Sequence, residues 1–94
     1  MEFRVSIAKT YRSTCGAHYF WFRFQEQGQR YGISCTRHPP LAGRDASTSL
    51  THLYPSGEIC FVAGKEPRTL ADAEARAAEW AEYLLEYIRS GVAQ

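Results

Sequence analysis

His18-Tyr19-Phe20-Trp21-Phe22-Arg23-Phe24 is the stretch on which the fold turns. It is aromatic at odd and even positions alike, has high strand propensity and carries no charge before Arg23, which predicts a central strand. Glu26-Gln27-Gly28-Gln29 follows, polar and with a glycine for the turn. Tyr31, Ile33 and Cys35 then alternate, so residues 18–36 read as a hairpin centred on Gly28. Upstream, Phe3, Val5 and Ile7 alternate with Arg4, Ser6 and Ala8, the period of a strand with one face on a core. Downstream, Pro39-Pro40 stops the hairpin, and residues 40–49 lack periodicity and read as a loop. Leu50 to Tyr54 and Glu58 to Val62 flank Pro55-Ser56-Gly57, which predicts a second hairpin.

The last third changes period. Thr69-Leu70-Ala71-Asp72 resembles a capping box with Asp in place of Glu, placing a helix start at residue 69 or 70. Ala73, Ala77, Trp80, Ala81, Leu84 and Ile88 recur at three- and four-residue spacing, a stripe for packing on a sheet. Ser90-Gly91 supplies the C-terminal stop. The expected fold is a single α+β domain over residues 1–94: an antiparallel β-meander of four or five strands covered by one long C-terminal helix.

Composition narrows the function. The 94 residues hold 11 Lys plus Arg against 10 Asp plus Glu, a net charge of +1, which argues against a nucleic-acid or acidic-membrane partner. The sheet half is mildly basic and the helix mildly acidic. Of the residues near the aromatic run only Arg23 and Arg30 are basic, so its rings read as core rather than as a platform for bases. Three cysteines with no Cys-x-x-Cys pair suit reduced thiols, and no apolar run reaches the ~20 residues of a membrane span. The expectation is a soluble, cytoplasmic protein. The chain also contains no asparagine and only two aspartates, Asp45 and Asp72.

Cys60 is the thiol with the most suggestive neighbourhood. His52 and Cys60 are equidistant from Ser56, so a turn centred there sets them opposite each other on adjacent strands, with Cβ atoms ~5 Å apart. A nucleophilic cysteine needs its thiolate, which a nearby base or cation favours. The competing reading is a core cysteine among Ile59, Phe61 and Val62.

Thr51-His52-Leu53-Tyr54-Pro55-Ser56-Gly57-Glu58-Ile59-Cys60-Phe61 resembles the active-site segment of ubiquitin-conjugating enzymes, and most closely that of the compact prokaryotic members of the superfamily. There a His-x-Tyr-x-x-Gly-x-(Leu/Ile)-Cys pattern precedes a helix rich in Trp and Tyr. Pro39-Pro40, Thr69 to Asp72 and Glu79-Trp80-Ala81-Glu82-Tyr83 look similar too, so the resemblance covers roughly residues 30–91. It implies a minimal ubiquitin-conjugating-like fold with Cys60 as the thioester nucleophile and His52 as the family's histidine. Tyr54, Ser56 and Gly57 would shape the turn or bind there. It also implies a ubiquitin-like protein and its activating enzyme as partners, and no cofactor. The family's His-Pro-Asn asparagine, an oxyanion donor, has no counterpart here; His52, Ser56 or backbone N–H groups would take that role.

Two alternatives stand beside this. One is a non-catalytic protein-interaction module of the same sheet-plus-helix shape. The other is a zinc module, because Cys15-Gly-Ala-His18 and Cys35-Thr-Arg-His38 repeat Cys-x-x-His, and a hairpin centred on Gly28 would bring His18 opposite His38.

Overall fold

The computed structural model describes residues 6–62 and 64–92, so Phe3 and Val5 of the expected first strand lie outside the described residues. Strands β1 (Ser6–Arg12), β2 (Tyr19–Gln27) and β3 (Arg30–Arg37) form an antiparallel sheet in the order β1-β2-β3. A single helical turn, α1 (Thr48–Thr51), and a long helix, α2 (Leu70–Ser90), follow. The aromatic run is the central strand, and its alternation decides which side of the sheet is covered. Phe20, Phe22 and Phe24 are buried; Tyr19, Trp21 and Arg23 face outward.

Gln27 pairs with Arg30 across Gly28-Gln29. Gly28 has φ 68°, a value that glycine adopts without the Cβ clash other residues meet, at the first central position of a two-residue turn. This sets Phe24 opposite Ile33 and Phe22 opposite Cys35, and the register then shifts by one residue at a bulge, so that Trp21 meets Arg37.

α2 begins where its cap predicts: the Thr69 hydroxyl accepts from the Asp72 amide at 3.0 Å. It ends at Gly91, which has φ 75°. Ala73, Ala77, Trp80, Ala81 and Leu84 lie against the sheet as the stripe requires, with Tyr87 rather than Ile88 as the last fully buried position. The alanines let the helix approach the sheet closely enough for Trp80 to set its ring edge-on to Phe20 and Phe22, 6.1 and 6.0 Å between centroids. Fully burying each such ring contributes about 2 kcal/mol, and truncating Phe22 to alanine should cost roughly 3–5 kcal/mol.

The α+β arrangement holds, but among the described residues the regular sheet has three strands, not four or five. Residues 50 and 51 belong to α1, and His52 takes φ 56° as its C-cap, a left-handed conformation that no strand contains. What remains of the second hairpin is one bridge, Leu53 to Ile59, with a second, Ser34 to Glu58, attaching the segment to the free edge of β3.

Candidate functional site

The segment 52–60 and the stretch 45–51 that leads into it are held by three sets of hydrogen bonds. Against β3, the Cys35 amide donates to the Gly57 carbonyl and the Ile59 amide to the Ile33 carbonyl, both at 2.8 Å. Within the segment, the Tyr54 amide donates to the Glu58 carbonyl at 2.8 Å and the Cys60 amide to the His52 carbonyl at 2.7 Å. Gly57 is needed where it stands: its φ is 96°, and a Cβ there would lie 3.3 Å from the Cys35 carbonyl oxygen.

The third attachment comes from α2. Trp80 Nε1 donates to the Thr51 carbonyl at 2.9 Å, the Tyr83 hydroxyl to the Leu50 carbonyl, and the Tyr87 hydroxyl to the Asp45 carbonyl at 2.8 Å. Spacings of three and four residues put these donors on one helix face. At buried Thr51 this supplies a partner to a carbonyl that water does not reach, while the bonds to Leu50 and Asp45 tie the less buried part of the stretch to the helix. Arg44 answers from the loop, donating to the Ile88 carbonyl at 3.0 Å and so completing the helix C-terminus.

The side chains of His52 and Cys60 have different partners although their backbones are bonded. The expected register around Ser56 is realised, since Leu53 pairs with Ile59. The left-handed backbone of His52, however, turns its ring onto Tyr83, 5.2 Å between centroids. Cys60 is half-buried, and its thiol donates to the Tyr54 hydroxyl at 3.2 Å. The hydrogen bond with Cys60, followed by the charge interaction with the same residue, raises the Tyr54 phenol above its ordinary pKa. Ile59, the neighbour of Cys60, enters the core instead. The Ser56 hydroxyl accepts from the Glu58 amide at 3.4 Å and tightens the turn.

Beside this segment lies an open recess of about 640 Å³ whose walls include Arg37, His38, Thr51, Leu53, Tyr54 and Gly57. Sequence reasoning missed two residues that shape it. The Thr48 hydroxyl donates to the Leu53 carbonyl at 3.0 Å, and Thr51 accepts from the Leu53 amide at 3.2 Å. The cue was the hydroxyl-rich Ser47-Thr48-Ser49, a composition suited to local side-chain-to-backbone bonds at helix ends.

The four residues of the alternative metal site do not assemble. Cys15 and His18 lie in the β1–β2 turn, Cys35 is in the core, and the His38 ring contacts the Pro39 carbonyl at 2.7 Å. The hairpin turns between Gly28 and Gln29, not on Gly28, and the bulge adds another residue, so His18 and His38 are out of register. Among the described residues no three His, Cys, Asp or Glu side chains are grouped to hold a metal ion. Nor is any described helix long and apolar enough to cross a membrane.

Comparison with protein-family models, with curated proteins and with solved structures gave no match.

Proposed function

We propose that the protein is an acyl carrier of the ubiquitin-conjugating type, built on a minimal version of that fold, in which Cys60 holds the C-terminal glycine of a ubiquitin-like protein as a thioester. The observation that carries this reading is the Cys60–Tyr54 contact of 3.2 Å on a thiol that stays half-exposed while the next residue inward is buried. In the charging step the Cys60 thiolate attacks the carbonyl carbon of a thioester on the activating enzyme, and the tetrahedral intermediate expels that enzyme's thiolate. In the discharge step an amine attacks, loses its proton to solvent, and expels the Cys60 thiolate.

Both steps place negative charge on an oxygen next to the sulfur. In a chain without asparagine, the Tyr54 hydroxyl is the neutral donor beside that position, and a fixed donor there stabilises the oxyanion. His52, seated on Tyr83, supports the turn and leaves this task to Tyr54. The recess lined by Tyr54 and Gly57 gives the incoming glycine tail a place to lie.

The test is acyl transfer from a synthetic Gly-Gly-terminated peptide thioester. A mass adduct on Cys60, cleaved by added thiol and lost in Cys60→Ser but not in Cys15→Ser, is the expected result. Tyr54→Phe should slow transfer about a hundredfold or more, the scale of losing an oxyanion donor. Acylation confined to Cys15, or none at any cysteine, overturns the reading.

A further inference from the structure

The side of the sheet turned away from α2 is not covered by any described element. Strand pairing places Ala8, Thr10 and Arg12 of β1 there, opposite Arg23, Trp21 and Tyr19 of β2. From β3 come Ser34, opposite Arg23, and Arg37, brought opposite Trp21 by the bulge. Thr10 is the small neighbour of Trp21, and Arg12 and Arg37 flank the two rings. Tyr19 is 46% and Trp21 40% exposed, and they lie side by side at 6.3 Å between centroids.

The charges around these rings have one sign. The Arg12 guanidinium is 5.8 Å from the Tyr19 centroid and that of Arg37 is 5.3 Å from the Trp21 centroid. Arg23, next along the strand, donates to the Ser6 hydroxyl at 3.1 Å. None of the three is ion-paired among the described residues, whereas Lys9, Arg30, Arg76 and Arg89 all have carboxylate partners. Pairing with Ser34 puts Glu58 on this side as well, at its far edge. Between the strands, a hollow of about 230 Å³ is lined by Ala8, Thr10, Trp21, Arg23 and Thr36.

We propose that this face binds a single-stranded polynucleotide, two successive bases stacking on Tyr19 and Trp21 while Arg12, Arg23 and Arg37 take the phosphates. Aromatic rings on an open sheet match the π-faces of unpaired bases, and unpaired guanidiniums beside them match the backbone that those bases bring. A duplex offers no free base faces. An acidic peptide would use the arginines but not the rings. The near-neutral net charge does not oppose this, because the interaction depends on the local sign of one face.

The experiment is fluorescence anisotropy of labelled single-stranded oligonucleotides, DNA and RNA, titrated with the protein at about 50 mM salt. Saturable binding that weakens roughly twentyfold on going to about 200 mM is expected, the salt dependence of three neutralised phosphates on a single strand. Trp21→Ala should weaken binding between about five- and a hundredfold and Trp21→Phe should restore most of it, with Trp80 emission reporting an intact fold. Arg37→Gln should lower the salt slope by about 0.7 units, the share of one phosphate on a single strand, and Arg89→Gln, paired to Glu86 on the helix, should leave binding unchanged. Three outcomes overturn the proposal: no saturation below about 10⁻⁴ M, preference for duplex, or equal affinity for poly-glutamate. None of these readouts involves Cys60, so this proposal and the acyl-carrier reading fail separately.

Discussion

Trp80 Nε1 lies 2.9 Å from the Thr51 carbonyl, joining the middle of the long helix to the turn that leads into the Cys60 segment. Both residues are buried, at 6% and 2% exposure, so neither group has water as a substitute partner. The bond therefore links two properties that are usually separate, the stability of the core and the position of an irregular loop.

Trp80→Phe keeps an aromatic ring in the core and removes the N–H. It should destabilise the protein by about 2 kcal/mol, much of it from the stranded Thr51 carbonyl. Denaturant unfolding measures the loss, and faster alkylation of Cys35 would show the loosening of its neighbourhood. An unchanged midpoint would mean that Thr51 finds another donor.

The three thiols should separate by reactivity in the native state. Cys15 is exposed, and bonds from the Ser13 hydroxyl, followed by backbone amides, hold its pKa below the ordinary thiol value. Cys35 is buried among Phe22 and Ile33, and desolvation pushes its pKa up to about 11. Cys60 is half-exposed. Maleimide labelling followed by peptide mass mapping should find Cys15 and Cys60 modified and Cys35 protected until the protein unfolds. Early labelling of Cys35 would contradict its placement.

Acid should loosen the β1–β2 turn through Glu82. Its carboxylate accepts from the Tyr11 hydroxyl at 2.6 Å and from the Thr14 amide at 3.0 Å, which lower its pKa, the Tyr11 bond most. A carboxylate depressed by folding stabilises above its unfolded pKa of about 4.3, and that contribution goes as pH falls through the lower folded value. The partner shows the complementary limit. The Tyr11 phenol is raised to about 12, chiefly by the same bond, so its share is intact below about 10 and lost as pH rises towards 12. Both shifts describe a neutral phenol donating to a carboxylate. Glu82→Gln should flatten stability between about pH 3 and 5 relative to the wild type, measured by thermal melts across that range.

Ala42 carries φ 56° in an exposed loop ahead of Gly43. A side chain there costs about 1–2 kcal/mol of backbone strain, against the larger chain entropy that glycine loses on folding. Ala42→Gly should therefore stabilise by roughly 0.5 kcal/mol, read as a rise in melting temperature of a few degrees. A fall would place the entropy term above the strain.

Much of the fold was legible because it rests on local periodicity. The alternation of Phe20, Phe22 and Phe24, the Thr69 cap and the alanine stripe each specify their element without help from distant residues. The second hairpin was misread because Leu50-Thr51-His52 has strand-like composition, while the partners that draw it into a helical turn, Trp80 and Tyr83, come some thirty residues later. Tyr83 and Tyr87 were legible as helix residues but not as donors to the loop, since a donor's target depends on the path of the chain. The Cys60 register followed from the symmetric spacing about Ser56, yet spacing carries no backbone dihedral, and the φ of His52 sends its ring elsewhere. The open sheet face was hidden by a bulge. Arg37 and Trp21 are sixteen residues apart and only the extra residue in β3 sets them side by side.

The sheet precedes its cover in the chain. As synthesis proceeds, Phe20, Phe22, Phe24 and Ile33 leave the ribosome before the helix that covers them, and the side chains that bury them, from Ala73 to Tyr87, are some forty to seventy codons behind. At about 5–20 residues per second the apolar face waits on the order of several seconds, long compared with the microseconds in which a hairpin forms. The nascent chain is thus a client for whatever shields hydrophobic surface near the exit tunnel. A message whose codons slow translation before residue 70 would lengthen that wait and lower the yield of folded protein without changing one amino acid.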